Sequence, residues 1–291
     1  MGGVLQGWES RQVGKWASGR QNERMRVVFD FDILAGRVMH LNPWMYPLLF
    51  LTGLAAGFVD AIAGGGGLIT VPVLLATGLD SKIALGTNKL QSSCGTALAL
   101  RHYARSGWVN WSELRVGLAA SFGGALLGAL AVNRLDSGFL RGIVPVLLLA
   151  IAVYTLISPR LGSQAGPRRL SPTAFGLGFG WMLGFYDGFF GPGTGSFWTL
   201  ACVGVFGLDL LRATAATKAM NLMSNLASVV IFAGAGKIDY GVALVMAAGQ
   251  MIGGRLGSGL AVRRGAQLIR PVFLTVVFAI TARLLWQRFR G

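Results

Sequence analysis

Charge is what this chain has least of: Asp, Glu, Lys and Arg make up 13% of its 291 residues, about half of the roughly 25% found in soluble domains. With 53% hydrophobic content and a mean hydropathy of +0.59, that scarcity excludes an ordinary water-soluble domain. Cysteine and histidine are almost absent. Cys94 and Cys202 with His40 and His102 cannot build a disulfide framework, a zinc site or a haem attachment, so no metal and no cofactor is expected. Acids are fewer than bases, 11 against 26, and the net charge is +15. The bases are scattered through short connections between apolar runs, which excludes a nucleic-acid face and fits anchoring at lipid head groups.

Glycine, by contrast, is plentiful, at 44 residues. Gly117, Gly123, Gly124 and Gly128 form one stripe and Gly249, Gly253, Gly254 and Gly257 another, the spacing that lets helix backbones approach closely in a membrane. Other glycines do something different. Asp60 is followed by Gly64-Gly65-Gly66-Gly67, and Asp187 by Gly191-Pro192-Gly193-Thr194-Gly195, each inside an apolar run. An ionised side chain in hydrocarbon costs roughly 3 kcal/mol or more, and a broken helix frees backbone groups that need partners. Meeting both penalties twice points to function.

The apolar windows predict helices near 44–63, 68–78, 83–104, 112–133 and 138–157, then near 173–190, 195–207, 213–234, 240–262 and 268–287. The pieces at 68–78 and 195–207 fall short of the roughly 20 residues a spanning helix needs, so each is expected to be half of a broken or re-entrant segment. Asp187 lies 127 residues after Asp60, while Lys218, Gly236 and Arg270 each lie 129 after Lys89, Gly107 and Arg141. A near-constant offset indicates internal duplication. The expected fold is all-α, a polytopic transmembrane bundle of two repeats of about four spans with glycine-rich breaks. Its parts are a polar tail over 1–42, membrane repeats over 43–158 and 173–291, and a linker over 159–172. The tail mixes Arg11, Lys15, Arg20, Arg24 and Arg26 with Glu9, Glu23, Asp30 and Asp32 and has no signal-peptide core; it reads as a disordered segment or as a start codon placed too early. Whether the repeats are parallel or inverted depends on whether the break makes an odd number of crossings, and Lys/Arg counts leave orientation open.

Lys89, Ser92, Ser93 and Thr96 share one face of an apolar helix, and Lys218, Asn221, Asn225 and Ser228 share the equivalent face of its counterpart. Turned inward, such stripes line a path. A helix that restarts after a glycine break presents free N–H groups and roughly half a positive charge, which together hold anions. The predicted substrate-binding residues are therefore Gly64, Gly65, Gly66, Gly67, Thr87, Asn88, Lys89, Ser92, Gly191, Gly193, Thr194, Gly195, Lys218 and Asn221. Asp60 and Asp187 read either as proton carriers coupled to transport, or as partners of Lys89 and Lys218 respectively, or as local caps of their own glycine loops. The aromatics around the second break, Trp181, Phe185, Tyr186, Phe189, Phe190, Phe197 and Trp198, read as packing or as a gate.

The motifs Asp60-Ala61-Ile62-Ala63-Gly64-Gly65-Gly66-Gly67-Leu68-Ile69-Thr70-Val71-Pro72, Ala84-Leu85-Gly86-Thr87-Asn88-Lys89 and Asp187-Gly188-Phe189-Phe190-Gly191-Pro192-Gly193-Thr194-Gly195-Ser196-Phe197 resemble the TauE/SafE (sulfite exporter) family, in particular its YfcA-like branch. The resemblance covers the chain from about Trp44 onward. It implies an eight-helix protein of two four-helix repeats in the bacterial inner membrane that moves sulfite, an organosulfonate or a related organic anion. The competing readings are an anion channel and a membrane scaffold without a ligand. No catalytic constellation is visible, so an enzyme is not expected. The expected partners are a small anion and the lipid bilayer.

Overall fold

A computed structural model describes residues 42–157 and 165–264, all within the unit Val38–Gly291. Among the described residues every regular element is a helix: α1 (Met45–Ala63), α2 (Gly66–Ala76), α3 (Ser81–Arg105), α4 (Trp111–Arg134), α5 (Ser137–Ile157), α6 (Pro172–Phe189), α7 (Thr194–Gly204), α8 (Leu210–Gly234) and α9 (Tyr240–Arg264). The all-α expectation holds, and the helices fall within a few residues of the predicted windows. The window at 268–287 and the tail at 1–42, all but its last residue, lie outside the described residues. Helices α1 and α4 are long and apolar enough to cross a membrane.

Local chemistry sets the starts. Asp80 opens α3 by accepting the Lys82 N–H at 3.0 Å, and Asp209, 129 residues on, opens α8 by accepting from Leu211 and Arg212 at 3.1 and 2.9 Å. Ser171 caps α6 ahead of Pro172, whose missing N–H is harmless in the first turn. Helices α2 and α7 are both 11 residues long, about 16 Å and half of a hydrocarbon core. Each starts from a left-handed glycine, Gly65 (φ 94°) or Gly193 (φ 84°), with no side-chain cap.

The glycine breaks make hairpins. Leu49 at the start of α1 shares a buried cluster with Leu74 at the end of α2, Ala84 at the start of α3 and Met246 of α9. Phe175, Cys202, Ala213 and Leu114 do the same for α6, α7, α8 and α4. Each hairpin thus returns to the end of the bundle it came from, leaving three crossings rather than four in the first run. Helix directions agree. Gly249, Gly253 and Gly257 of α9 press on the backbones of Phe50, Leu54 and Phe58 of α1, residue numbers rising together. Gly117, Gly124 and Gly128 of α4 meet Gly176, Trp181 and Phe185 of α6 in the same way. Lys82 Nζ at the start of α3 donates to Asn133 O at the end of α4 at 3.0 Å, so α3 and α4 are antiparallel. Gly86 faces Phe232, while Lys89 meets Asn225, so α8 runs against α3. The second run is inverted relative to the first.

Both glycine stripes therefore lie in interfaces between the two runs. A Cβ at Gly128 would strike the carbonyl oxygen of Phe185, whereas one at Gly142 would meet nothing within 4 Å. Gly128→Ala is expected to lower stability by about 1–3 kcal/mol, read from thermal unfolding in detergent, with Gly142→Ala unchanged.

Candidate functional site

The two hairpin tips meet. Backbone atoms of Gly64 and Gly195 are so close that a Cβ on Gly195 would lie 2.8 Å from Gly64 Cα, and one on Gly67 would lie 3.2 Å from Pro192 Cα. The N-termini of α2 and α7 thereby converge, and beside them is a cavity of about 20 Å³. Its wall includes Gly65 and Gly67 from one tip, Gly191, Gly193, Thr194 and Gly195 from the other, and Asp60 and Asp187 from α1 and α6. Helix α3 adds Asn88, Lys89, Ser92 and Thr96; α8 adds Asn221 and Asn225. A single water needs roughly 10–15 Å³, so the cavity as it stands holds little more than that.

Four charges stand at or just behind it, the part-buried Asp60 and the buried Lys89, Asp187 and Lys218, paired crosswise. Lys89 Nζ lies 2.6 Å from Asp187 Oδ1, and Lys218 Nζ lies 2.8 Å from Asp60 Oδ2. One of the readings from sequence paired each lysine with the aspartate of its own repeat, and the structure corrects it: because the runs are inverted, each hairpin tip reaches the long helix of the other run. Lys89 also donates to Asn225 Oδ1 at 3.2 Å, and Lys218 donates to the Asp60 carbonyl. Asp187 accepts further from Thr194 Oγ1 at 3.1 Å and from Ser224 Oγ, whereas Asp60 accepts the Gly66 N–H at 3.3 Å. That last bond realises the local-cap reading for Asp60.

Most of the residues predicted to bind substrate do face the cavity. Gly64, Gly66, Thr87 and Lys218 do not line it. Thr87 Oγ1 accepts the Asp239 N–H at 2.9 Å and so ties α3 to the turn before α9. Lys218 is fully buried against Asp60. Thr96 and Asn225 were not among the predicted contacts, although both lie on the polar stripes. Ser224 gave no signal because its counterpart 129 residues earlier is Gly95. The aromatics near the second break stay out of the wall. Trp181 and Phe185 are outward-facing, while Tyr186 packs edge-on against Phe190 and Phe197 and donates to Pro192 O at 2.6 Å.

Two backbone donors at the cavity lack acceptors, and one side-chain amide is left partly unpaired. The N–H groups of Gly67 and Gly195, each the second residue of its helix, meet no acceptor among the described residues. Asn221 is 6% exposed, and its Oδ1 has no hydrogen-bond partner; turned about χ2, that amide presents N–H groups instead. A Cβ at Gly191 (φ 94°) would strike Lys89 Nζ at 2.5 Å, so only glycine leaves the ammonium its place. The electrostatic sum is simple. Two lysines cancel two aspartates, and at each tip the roughly +0.5 of the helix that starts there is offset by the roughly −0.5 of the helix that ends there, α1 or α6, so what favours an anion is the pair of unpaired N–H groups rather than a net charge.

The profile of the sulfite exporter TauE/SafE family matches residues 49–284. A Haemophilus influenzae protein described as "Probable membrane transporter protein" is 44% identical over 241 residues, covering 83% of this chain and 94% of its own. "Probable membrane transporter protein YfcA" of Escherichia coli K12 is 40% identical over 246 residues, 84% of this chain and 91% of its own. "Probable membrane transporter protein ORF9" of a Sinorhizobium species is 42% identical over 237 residues, 81% and 91% respectively. No solved structure matches. With the family profile spanning most of its length and relatives of this closeness, the chain belongs to the TauE/SafE family, among the relatives of YfcA.

Proposed function

We propose that this protein is a multi-pass carrier of the bacterial inner membrane for a small oxyanion, a sulfite or sulfonate group, bound between the N-termini of α2 and α7. The observation that carries the reading is the convergence of two glycine-led helix starts, with unpaired N–H groups at Gly67 and Gly195, on a cavity walled by Lys89, Asn88, Ser92 and Asn221. Such a place favours negative oxygens over water or cations. Broken helices meeting where inverted repeats cross are also how many carriers build their sites. The tight cavity favours a carrier over an open channel, since ions in a channel need a continuous wet path. The family's transporters give no reason to expect an enzyme.

Charge balance leads to the coupling. With the fixed charges balanced, a monoanion such as a sulfonate is held by the unpaired N–H groups and by Lys89. Sulfite as a dianion brings one negative charge more, and a proton on Asp60 or Asp187 offsets it. Asp60 has fewer donors than Asp187 and is 14% exposed in its side chain against 4%, so it is the carboxylate better placed to exchange that proton with the cavity. The test uses purified protein, in detergent and in liposomes. Sulfite or a sulfonate is expected to raise the unfolding temperature, by linkage of binding to stability, while choline or sodium does not. The pH dependence of sulfite flux, part of which sulfite's own protonation brings, is expected to be weaker in Asp60→Asn than in the parent. Absence of any stabilisation by oxyanions would remove the carrier reading in favour of a scaffold.

A further inference from the structure

Inverted runs sort the connections into two groups, one at each end of the bundle, and the groups differ in charge. One end holds the α3–α4 turn, the segment before α6, the α7–α8 turn and the close of α9. It exposes Arg101, Arg105, Arg115, Arg168, Arg169 and Arg212, and α9 closes there on Arg263 and Arg264. Its acids are Glu113 and Asp209, which pair with Arg168 at 3.0 Å and Arg212 at 3.4 Å. The other six arginines have no ion-pair partner among the described residues. The opposite end, with the start of α1 and the α2–α3, α4–α5 and α8–α9 turns, has Lys82, Arg134, Lys237 and, in the first turns of α5, Arg141, against Asp80, Asp136 and Asp239.

We infer that the arginine end is the cytoplasmic end of this protein and rests against the anionic head groups of that leaflet. Short connections rich in Lys and Arg are retained on the cytoplasmic side of a membrane, and the anionic lipids there attract exposed basic residues. That the excess is arginine throughout adds to the fit, since a guanidinium grips phosphate through two parallel N–H bonds where an ammonium offers a point charge. Before the helix directions are known the same residues cannot be sorted by side; once they are, among the described residues eight arginines against two acids face four bases against three. The α6–α7 hairpin then enters from the cytoplasm and the α1–α2 hairpin from outside. The segment that covers the end of α7, where the Arg169 N–H donates to Val205 O at 3.0 Å and Arg168 lies 4.4 Å from the centre of the Phe206 ring, stands at the cytoplasmic mouth. None of this depends on what the cavity binds.

Ser106 and Ala235 make the test symmetric, being exposed residues 129 apart at equivalent turns on opposite ends. Each is changed to Cys in a parent carrying Cys94→Ala and Cys202→Ala, and cells are treated with a membrane-impermeant maleimide before and after permeabilisation. Ala235→Cys is expected to label in intact cells and Ser106→Cys only in permeabilised ones. The opposite pattern, or labelling of both from the same side, overturns the inference. Should the cysteine-free parent fail to accumulate, trypsin on vesicles of the unaltered protein reads the same property: cuts after Arg105 and Arg168 are expected in inside-out vesicles, and their appearance in right-side-out vesicles overturns it.

Discussion

Lys89→Ala is expected to destabilise the protein by about 3–5 kcal/mol, the range for stripping one partner from a buried ion pair, and to abolish oxyanion binding. Lys89 is 1% exposed, and its ammonium is the cation on Asp187, itself 3% exposed. Without it Asp187 keeps Thr194 and Ser224 as donors, which soften the loss but bring no charge. Asn225 Oδ1 loses a donor in the same step. Removing both members is expected to be milder: Lys89→Ala with Asp187→Ala should recover part of the stability lost in either single variant, because no unpaired charge remains. A double-mutant cycle makes the crosswise geometry measurable. Lys89 with Asp187 is expected to show coupling of roughly 0.5–3 kcal/mol, as residues in direct contact do. Lys89 with Asp60, the pair drawn from within one repeat, is expected to show little. Coupling that follows Lys89 and Asp60 instead would contradict the inverted arrangement as well as the pairing. The measurement is thermal or denaturant unfolding in detergent, with anion-induced stabilisation read on the same samples.

The crosswise pairing also marks where sequence reasoning stopped. Helix positions were legible because apolar windows and acid-plus-glycine breaks are local signals, and Asp80 and Asp209 advertise helix starts by themselves. The starts of α2 and α7 were legible for the same reason, since a glycine-rich break followed by an apolar run reads as a helix restart wherever it occurs. Direction was not legible. Deciding whether Gly64 to Gly67 make a kink within one crossing or a hairpin back to the same side requires knowing that Leu74 returns to Leu49, a contact no periodicity encodes. Once the hairpin is known, three crossings in the first run and an inverted second run follow, and with them the partner of every buried charge. Thr87 failed for a smaller reason. It precedes Asn88 and Lys89 in the chain, but successive residues on a helix point about 100° apart, and its hydroxyl faces the α8–α9 turn rather than the cavity. Thr96 and Asn225 lie on the stripes of Lys89 and Asn221, and following those stripes one or two turns further would have included them.

Gly195→Ala is expected to have the largest effect on binding of any substitution at the hairpin tips. The position has ordinary helical backbone, so the change adds no conformational strain of its own; the new methyl instead lands 2.8 Å from Gly64 Cα and 3.1 Å from Asn221 Nδ2. Backbone on one side leaves no flexible group to give way. The tips must part by a fraction of an ångström or more, which takes the N–H groups of Gly67 and Gly195 out of reach of a common ligand and turns Asn221 from the cavity. Overpacking of this kind costs about 1–3 kcal/mol in stability, well short of unfolding a bundle whose helix interfaces lie elsewhere. The expected result is therefore a protein with native helical content, a modestly lower unfolding temperature and no stabilisation by sulfite or sulfonate. Gly78→Ala supplies the contrast. Its φ of 86° disfavours alanine, yet nothing lies within 4 Å of the added carbon and the residue sits in the α2–α3 turn, far along the chain from the tip. It should lower stability through backbone strain while leaving the response to oxyanions intact. Because one variant loses binding and the other loses only stability, the two together separate the contact between helix starts from the general cost of altering a glycine. If Gly195→Ala still responds to sulfite as the parent does, the oxyanion is held somewhere other than between α2 and α7.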